Sequence, residues 1–179
     1  VKKNKLFLIE DCSQAHGATY KNKKVGSFGH ISTWSFCQDK IISTGGEGGM
    51  ISTNNKELFL KIWSSKDHGK SYKSVFYKKH KTGFRWLHDN LGSNYRMTEM
   101  QAAIGRIQLK SLDKQIKKRN LIANLYLTGL KDYYIKYKIL KKLNFKCETC
   151  PLKQNLKKCI KCKHAYYKLN IFLNKKEIQ

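Results

Sequence analysis

The stretch from Ser35 to Gly49, SFCQDKIISTGGEGG, constrains this chain more than any other. Before it lies ISTWSF, residues Ile31 to Phe36, whose β-branched and aromatic side chains suit a strand, and a second strand is expected from Gly49 to Thr53. Between the two strands sit a lone Lys40 and glycines on both sides of Glu47, which allow the backbone to approach a ligand or another strand closely. Ser35 offers a hydroxyl five residues before the lysine. A lysine held between two strands in this way is more than surface charge. No G-x-G-x-x-G or Walker pattern forms here, so neither a dinucleotide site nor a P-loop is supported.

The flanking sequence supplies a frame for that lysine. Leu6 to Ile9, LFLI, reads as a buried strand that ends at Glu10 and Asp11. In open α/β folds, functional groups gather at the carboxyl ends of strands, which gives Asp11 and Gln14 a possible role in a site. They also have a plain explanation as a capping box for a helix begun by SQAHGA. TYKNKKVGSFGH, rich in Lys, Asn and Gly, reads as a turn or short hairpin. Helical spacing follows in KELFLKIW, Lys56 to Trp63, and SSKDHGK ends it. Residues 70–90 read as a long basic, aromatic loop. Thr98, with Gln101 three residues on, caps a helix carried by Met100, Ala103, Ile104, Ile107 and Leu109. A second amphipathic stretch runs from Leu112 to about Leu130, with Lys117, Lys118 and Arg119 on its wet face. Beyond Tyr133 the texture changes to Lys-rich, strand-like pieces ending in HAYYKLNIFLN. The expectation is an α/β unit over residues 1–131 and a small appended unit over 132–179.

Charge and cysteines raise two further readings. Lys and Arg number 37 against 12 Asp and Glu, a net charge of +25. Because the lysines are spread along the whole chain, a solvated basic surface is expected, with a nucleic-acid footprint as the rival reading. Cys147, Cys150, Cys159 and Cys162 are spaced C-x2-C-x8-C-x2-C. Four thiolates at that spacing can close a tetrahedron around a structural zinc, or they can be reduced thiols in an inserted loop. Cys12 and Cys37 stand alone and read as small buried side chains. No signal peptide and no apolar run long enough to cross a bilayer is present, so a cytoplasmic protein is expected. The start, VKKNKLFLIEDC, reads as a strand entered mid-protein, so a fragment of something longer is expected.

An aldehyde cofactor such as pyridoxal phosphate requires an amine for a Schiff base, an anion near its pyridine nitrogen, a partner for its ring hydroxyl and donors for its phosphate. Lys40 can supply the first, Asp11 the second, Gln14 the third and Ser35 the last.

The ordered series IEDCSQAHGA, VGSFGHISTWSFCQDK, GGEGGMIST, DHG, LGSNYRMTEMQAAIGRIQLKSLD and KHAYYK resembles the DegT/DnrJ/EryC1/StrS family of sugar aminotransferases, which are fold-type-I pyridoxal-phosphate proteins. The resemblance implies that residues 1–131 belong to the large, mostly parallel cofactor domain and its following long helix. Residues 132–179 would then be part of the small α+β C-terminal domain, carrying a four-cysteine insertion. It makes Lys40 the Schiff-base lysine and the proton-moving base, Asp11 the pyridine-nitrogen partner, Gln14 the ring-hydroxyl partner and Ser35 a phosphate ligand. Asn94 would reach a phosphate in the opposite subunit of a homodimer with shared active sites, and His164 would lie near the sugar.

The implied reaction takes nitrogen from an amino acid donor, L-glutamate, and gives it to a nucleotide-linked keto-sugar for amino-sugar and polysaccharide biosynthesis. Dehydration also occurs on this scaffold, but Lys40 stands where the best-known dehydratase variant has a histidine. Family members are longer, and the N-terminal part that stacks an aromatic on the ring is missing here, so the isolated chain is expected to be inactive. No membrane or nucleic-acid partner is implied. A non-catalytic regulator of the same fold and a zinc-stabilised nucleic-acid-binding module are the rival functions; the second leaves Asp11, Gln14, Ser35 and Lys40 unexplained.

Overall fold

The computed structural model describes residues 2–83, 85, 87–137, 140–142, 162–170 and 172–173. Its organising sheet has three strands: β1 (Ile9–Asp11), β4 (Ile31–Ser35) and β5 (Gly49–Ser52), in the order β1-β4-β5. β1 runs parallel to β4, with Asp11 opposite Thr33. Parallel neighbours need a long connection, and residues 12–30 provide one. Within it lies the expected hairpin, β2 (Thr19–Tyr20) and β3 (Lys23–Lys24). Lys21 and Asn22 turn that hairpin with φ of 48° and 63°, the left-handed pair that a two-residue loop between twisted strands favours. β5 returns antiparallel to β4, with Ser35 opposite Gly49, because the intervening loop turns straight back.

The first strand departs from expectation. It begins at Ile9 and takes in Glu10 and Asp11, whereas LFLI was expected to form it. Leu6, Phe7 and Ile9 are 58, 79 and 63% exposed rather than buried, since β1 is the outer strand of the sheet among the described residues. No helix follows Asp11 either. Residues 12–17 are turns, and Asp11 Oδ1 accepts from the Ser13 amide at 3.0 Å and the Ser13 hydroxyl at 2.6 Å, so the capping partner is two residues on and is not Gln14. An Asp bonded to its own backbone two residues later makes a turn where a helix could have started.

α1 (Lys56–Lys66) and α3 (Glu99–Tyr137) appear where the periodicity placed helices, and a short α2 (Tyr72–Phe76) stands inside the expected loop. The two stretches read as separate amphipathic helices are one continuous helix of 39 residues, and it passes through position 131. β6 (Leu140–Lys142) pairs antiparallel with β7 (Phe172–Leu173). Ile41, Ile116 and Ala165 form a buried cluster, with Ala18, Leu112 and Tyr167 packed against it. Gly17 sits beside this cluster at φ 76°, and a Cβ there would stand 2.8 Å from the Ile116 side chain. Cys12 is buried as expected, while Cys37 is half-buried, with its sulfur 3.2 Å from Glu47 Oε1. Cys147, Cys150 and Cys159 lie outside the described residues, and with them the zinc expectation. Among the described residues no helix is long and apolar enough to cross a membrane.

Candidate active site

Lys40 lies in the loop that leaves the carboxyl end of β4. The loop is fixed at both ends: the Phe36 amide donates to Gly48 O at 2.7 Å and the Thr44 amide donates to Phe36 O at 3.2 Å. The next residue, Ile41, is locked into the buried cluster. Parallel pairing brings the carboxyl ends of β1 and β4 to one sheet edge, and the Cys12 amide extends that pairing with a 2.9 Å bond to Thr33 O. Asp11, Ser35 and Lys40 therefore share this edge, which is the place where open α/β sheets bind ligands. A strand end, a strand end and a tethered loop deliver a carboxylate, a hydroxyl and an amine.

The Lys40 side chain is only 15% exposed. Its Nζ is 3.3 Å from the Tyr167 hydroxyl, 3.4 Å from Asp39 Oδ1 and 4.7 Å from the centre of the Tyr167 ring. The Tyr167 hydroxyl in turn donates to Asp39 Oδ2. The bond to Tyr167, supported by Asp39, raises the affinity of Lys40 for its proton above that of an ordinary lysine. Asp39 is correspondingly acidic, at about 2, through Tyr167 first, then Cys37 and Lys40. The Ser13 bonds lower the pKa of Asp11, so its carboxylate stays ionised. Ser35 Oγ accepts weakly from the Cys37 amide at 3.4 Å. His16 lies buried beneath, its ring 5.4 Å from Trp34 and 5.9 Å from Phe36, and burial holds it neutral.

The other expected site residues make no hydrogen bond to Asp11, Ser35 or Lys40 among the described residues. Gln14 is exposed beyond β1. Asn94 belongs to a second cluster at the end of α1, where its Oδ1 accepts from Arg96 Nε at 2.9 Å and its backbone pairs with Asp67. Buried Asp67 is 3.2 Å from Lys70 and 3.5 Å from Arg96, and the two cations outweigh the effect of burial to keep it acidic. His164 is exposed, with Nδ1 accepting from the Tyr166 amide at 2.8 Å, and its segment is tied to α3. Asp39 and Tyr167 were missed in the sequence. Asp39 adjoins the lysine and Tyr167 lies inside KHAYYK, but a separation of 127 residues between the lysine and the tyrosine hides the contact.

The residues at this edge suit pyridoxal phosphate. An amine, an ionised carboxylate and a hydroxyl lie at one loop-lined edge, and the lysine side chain is largely withdrawn from water, which suits a Schiff base that must resist hydrolysis. The mixed α/β layout and a lysine at the carboxyl edge of the parallel strands define the class: the fold of the pyridoxal-phosphate aminotransferases. The chain belongs to the DegT/DnrJ/EryC1/StrS aminotransferase family, whose sequence pattern matches residues 1–175. A GDP-perosamine synthase from Escherichia coli O157:H7 is 43% identical over 125 residues, which cover 70% of this chain and 31% of that protein. The crystal structure of an aminotransferase from Psychrobacter cryohalolentis superposes with a TM-score of 0.84 at 46% identity, covering 99% of this chain and 43% of that one. A GDP-4-keto-6-deoxy-D-mannose-3-dehydratase from E. coli, solved with hydrated PLP bound, superposes with a TM-score of 0.70 at 25% identity, covering 97% and 41%. The chain thus spans about a third of the length of the curated relatives it matches.

Proposed function

We propose that this chain carries the cofactor-anchoring part of a pyridoxal-phosphate-dependent aminotransferase acting on a nucleotide-linked keto-sugar, with L-glutamate as amino donor. The observation that carries this reading is the placement of Lys40 on a tethered loop, at the same sheet edge as Asp11 and Ser35. The family membership and the name of the E. coli perosamine synthase support the sugar-nucleotide substrate class.

When bound, pyridoxal phosphate supplies a ring that accepts the electron pair of a substrate carbon. Lys40 Nζ would hold the aldehyde, and as a free, neutral amine it would take a proton from the substrate carbon and return one to the cofactor's aldehyde carbon. Asp11 offers a permanent negative charge to a pyridine nitrogen; both Ser13 bonds fall on its Oδ1. Gln14 would reach the ring hydroxyl and Ser35 Oγ would donate to the phosphate. Asn94 serves the phosphate of the second subunit in a homodimer: Arg96 holds its Oδ1, which turns the amide as a donor. His164 contacts the sugar. Residues 1–131 form the cofactor unit with its following long helix, and 132–179 belong to the small domain, whose four cysteines are either a structural zinc set or reduced thiols in an inserted loop.

Borohydride reduction in the presence of pyridoxal phosphate, followed by peptide mapping, tests the assignment. The reduced adduct is expected on the peptide containing Lys40. Lys40→Ala should lose the visible-edge absorbance of the bound cofactor and all turnover of the full-length enzyme. Adduct scattered over many lysines, or full turnover by Lys40→Ala, would overturn it.

A further inference from the structure

A Schiff-base lysine has to lose its proton before it can attack a carbonyl, and such lysines are usually made less basic by burial. The Lys40 side chain is also largely buried, but its contacts act in the other direction and outweigh that burial. The Tyr167 hydroxyl donates to Asp39 Oδ2, which turns the lone pairs of its oxygen toward Nζ at 3.3 Å. The Tyr167 ring face lies 4.7 Å from the same nitrogen, and Asp39 Oδ1 closes the third side at 3.4 Å. All three contacts are stronger with an ammonium than with a neutral amine.

Tyr167 is not on a free end. The Lys163 and Thr19 backbones exchange two bonds of 2.9 Å, and Asn120 Nδ2 donates to His164 O at 3.0 Å. Arg119 donates to Tyr166 O at 3.2 Å and to Tyr167 O at 3.5 Å, and Ala165 is buried against Ile41 and Ile116. The segment is therefore stitched both to the β2 end of the crossover and to α3. Its effect is to bring a phenol to the lysine loop from the far end of the chain.

We propose that Tyr167, backed by Asp39, is a positioning residue for Lys40, which it holds at the sheet edge as an ammonium until an aldehyde displaces the contact. The proposal rests on the reading of Lys40 as the aldehyde-holding amine for its purpose, but not for its geometry. The charged and titratable groups around the pair are Asp39 on the loop with Cys37 and then Glu47 behind it, His16 beneath it, and Arg119 and Lys168 at the Tyr167 backbone and ring. His16 is neutral, and the two other cations disfavour a further positive charge, so the hold on the Lys40 proton comes from Tyr167 and Asp39.

The test is competitive acetylation of the cofactor-free full chain across a pH series. Mass spectrometry then follows the peptide of Lys40 against that of Lys61, an exposed lysine on α1. Tyr167→Phe keeps the ring that packs on the buried cluster and removes only the hydroxyl. It should move the midpoint of Lys40 labelling to lower pH and raise its labelling at neutral pH severalfold, with Lys61 unchanged. Asp39→Asn should move it in the same direction. Addition of pyridoxal phosphate should also reach half-maximal Schiff-base absorbance sooner in Tyr167→Phe than in the unaltered protein. A Lys40 midpoint that stays in place, moves to higher pH, or moves only in step with Lys61 would overturn the proposal. A shifted midpoint with no borohydride-trapped adduct on Lys40 would instead sink the functional reading and leave the contact standing.

Discussion

Glu10, rather than its neighbour Asp11, is the carboxylate that the backbone surrounds. Its Oε2 accepts from the Gly26 amide at 2.8 Å, and its Oε1 from the Phe28 and Gly29 amides at 2.7 and 2.6 Å. Burial alone would raise its pKa, but the three donors outweigh it and the net shift is downward. A carboxylate depressed in this way contributes stability above its unfolded value, near pH 4.3, and loses that contribution as the pH falls through the folded value. Glu10→Gln should therefore cost about 1–2 kcal/mol in urea unfolding at pH 7. The gap between variant and parent should close on acidification below the ordinary Glu range; a gap independent of pH would refute the charge-based account. The acidic strand end was legible in the sequence because it is local. The role of Glu10 was not, since its donors sit 16 to 19 residues away on the crossover. The same reason hid the Tyr167 contact, while Lys40 itself stood out through its immediate neighbours.

Among the elements, legibility followed how local the stabilising contacts are. The Thr98 box formed as read: the Gln101 amide donates to Thr98 Oγ1 at 3.3 Å and Gln101 Oε1 accepts from the Thr98 amide at 3.1 Å. Helix α2 escaped notice because five residues carry no periodic signal. It is held by the Ser71 cap and by Tyr72 and Phe76 rings that lie 5.0 and 5.7 Å from Trp63 of α1. The break expected near Leu109 to Leu112 did not occur, since nothing between them interrupts a helix: no proline or cap intervenes, and Leu112 and Ile116 dock on the core. The end of α1 shows what a glycine can be required for. Gly69 stands at φ 75°, donates to Ser64 O at 2.8 Å and accepts from the Asp89 and Asn90 amides at 3.1 Å. A Cβ there would fall on the Asn90 carbonyl. Gly69→Ala should destabilise by about 2–4 kcal/mol, from left-handed backbone strain plus overpacking. Because the same turn carries the Asp67–Arg96–Asn94 cluster, amide exchange at residues 88–94 should rise more than in α3. Uniform exchange across the chain would show that the turn is not the locus.

At the scale of the whole molecule, two opposing properties decide how the chain behaves in solution. Large apolar side chains are exposed on α3: Ile107 at 66%, Leu121 at 60%, Leu125 at 63% and Tyr126 at 58%. A net charge of +25 works against bringing two copies together. The proposed homodimer has to bury apolar surface of this kind while tolerating that repulsion, so salt should strengthen it. Between about 0.01 M and 0.15 M salt the screening length falls from about 30 Å to about 8 Å, which removes most of the long-range repulsion and leaves hydrophobic burial in place. Sedimentation equilibrium should show the weight-average mass of the full chain rising toward twice its 20.9 kDa with concentration, and more steeply at the higher salt. Leu121→Glu combined with Leu125→Glu, which sit one turn apart on the exposed face, should return it toward the monomer without unfolding α3, because neither side chain belongs to the Ile41–Ile116–Ala165 cluster. A monomer at every concentration and salt would count against a shared site and leave Asn94 without a second subunit to serve. A dimer unaffected by the double substitution would instead move the interface off this face of α3, toward the exposed Leu6, Phe7 and Ile9 at the outer strand.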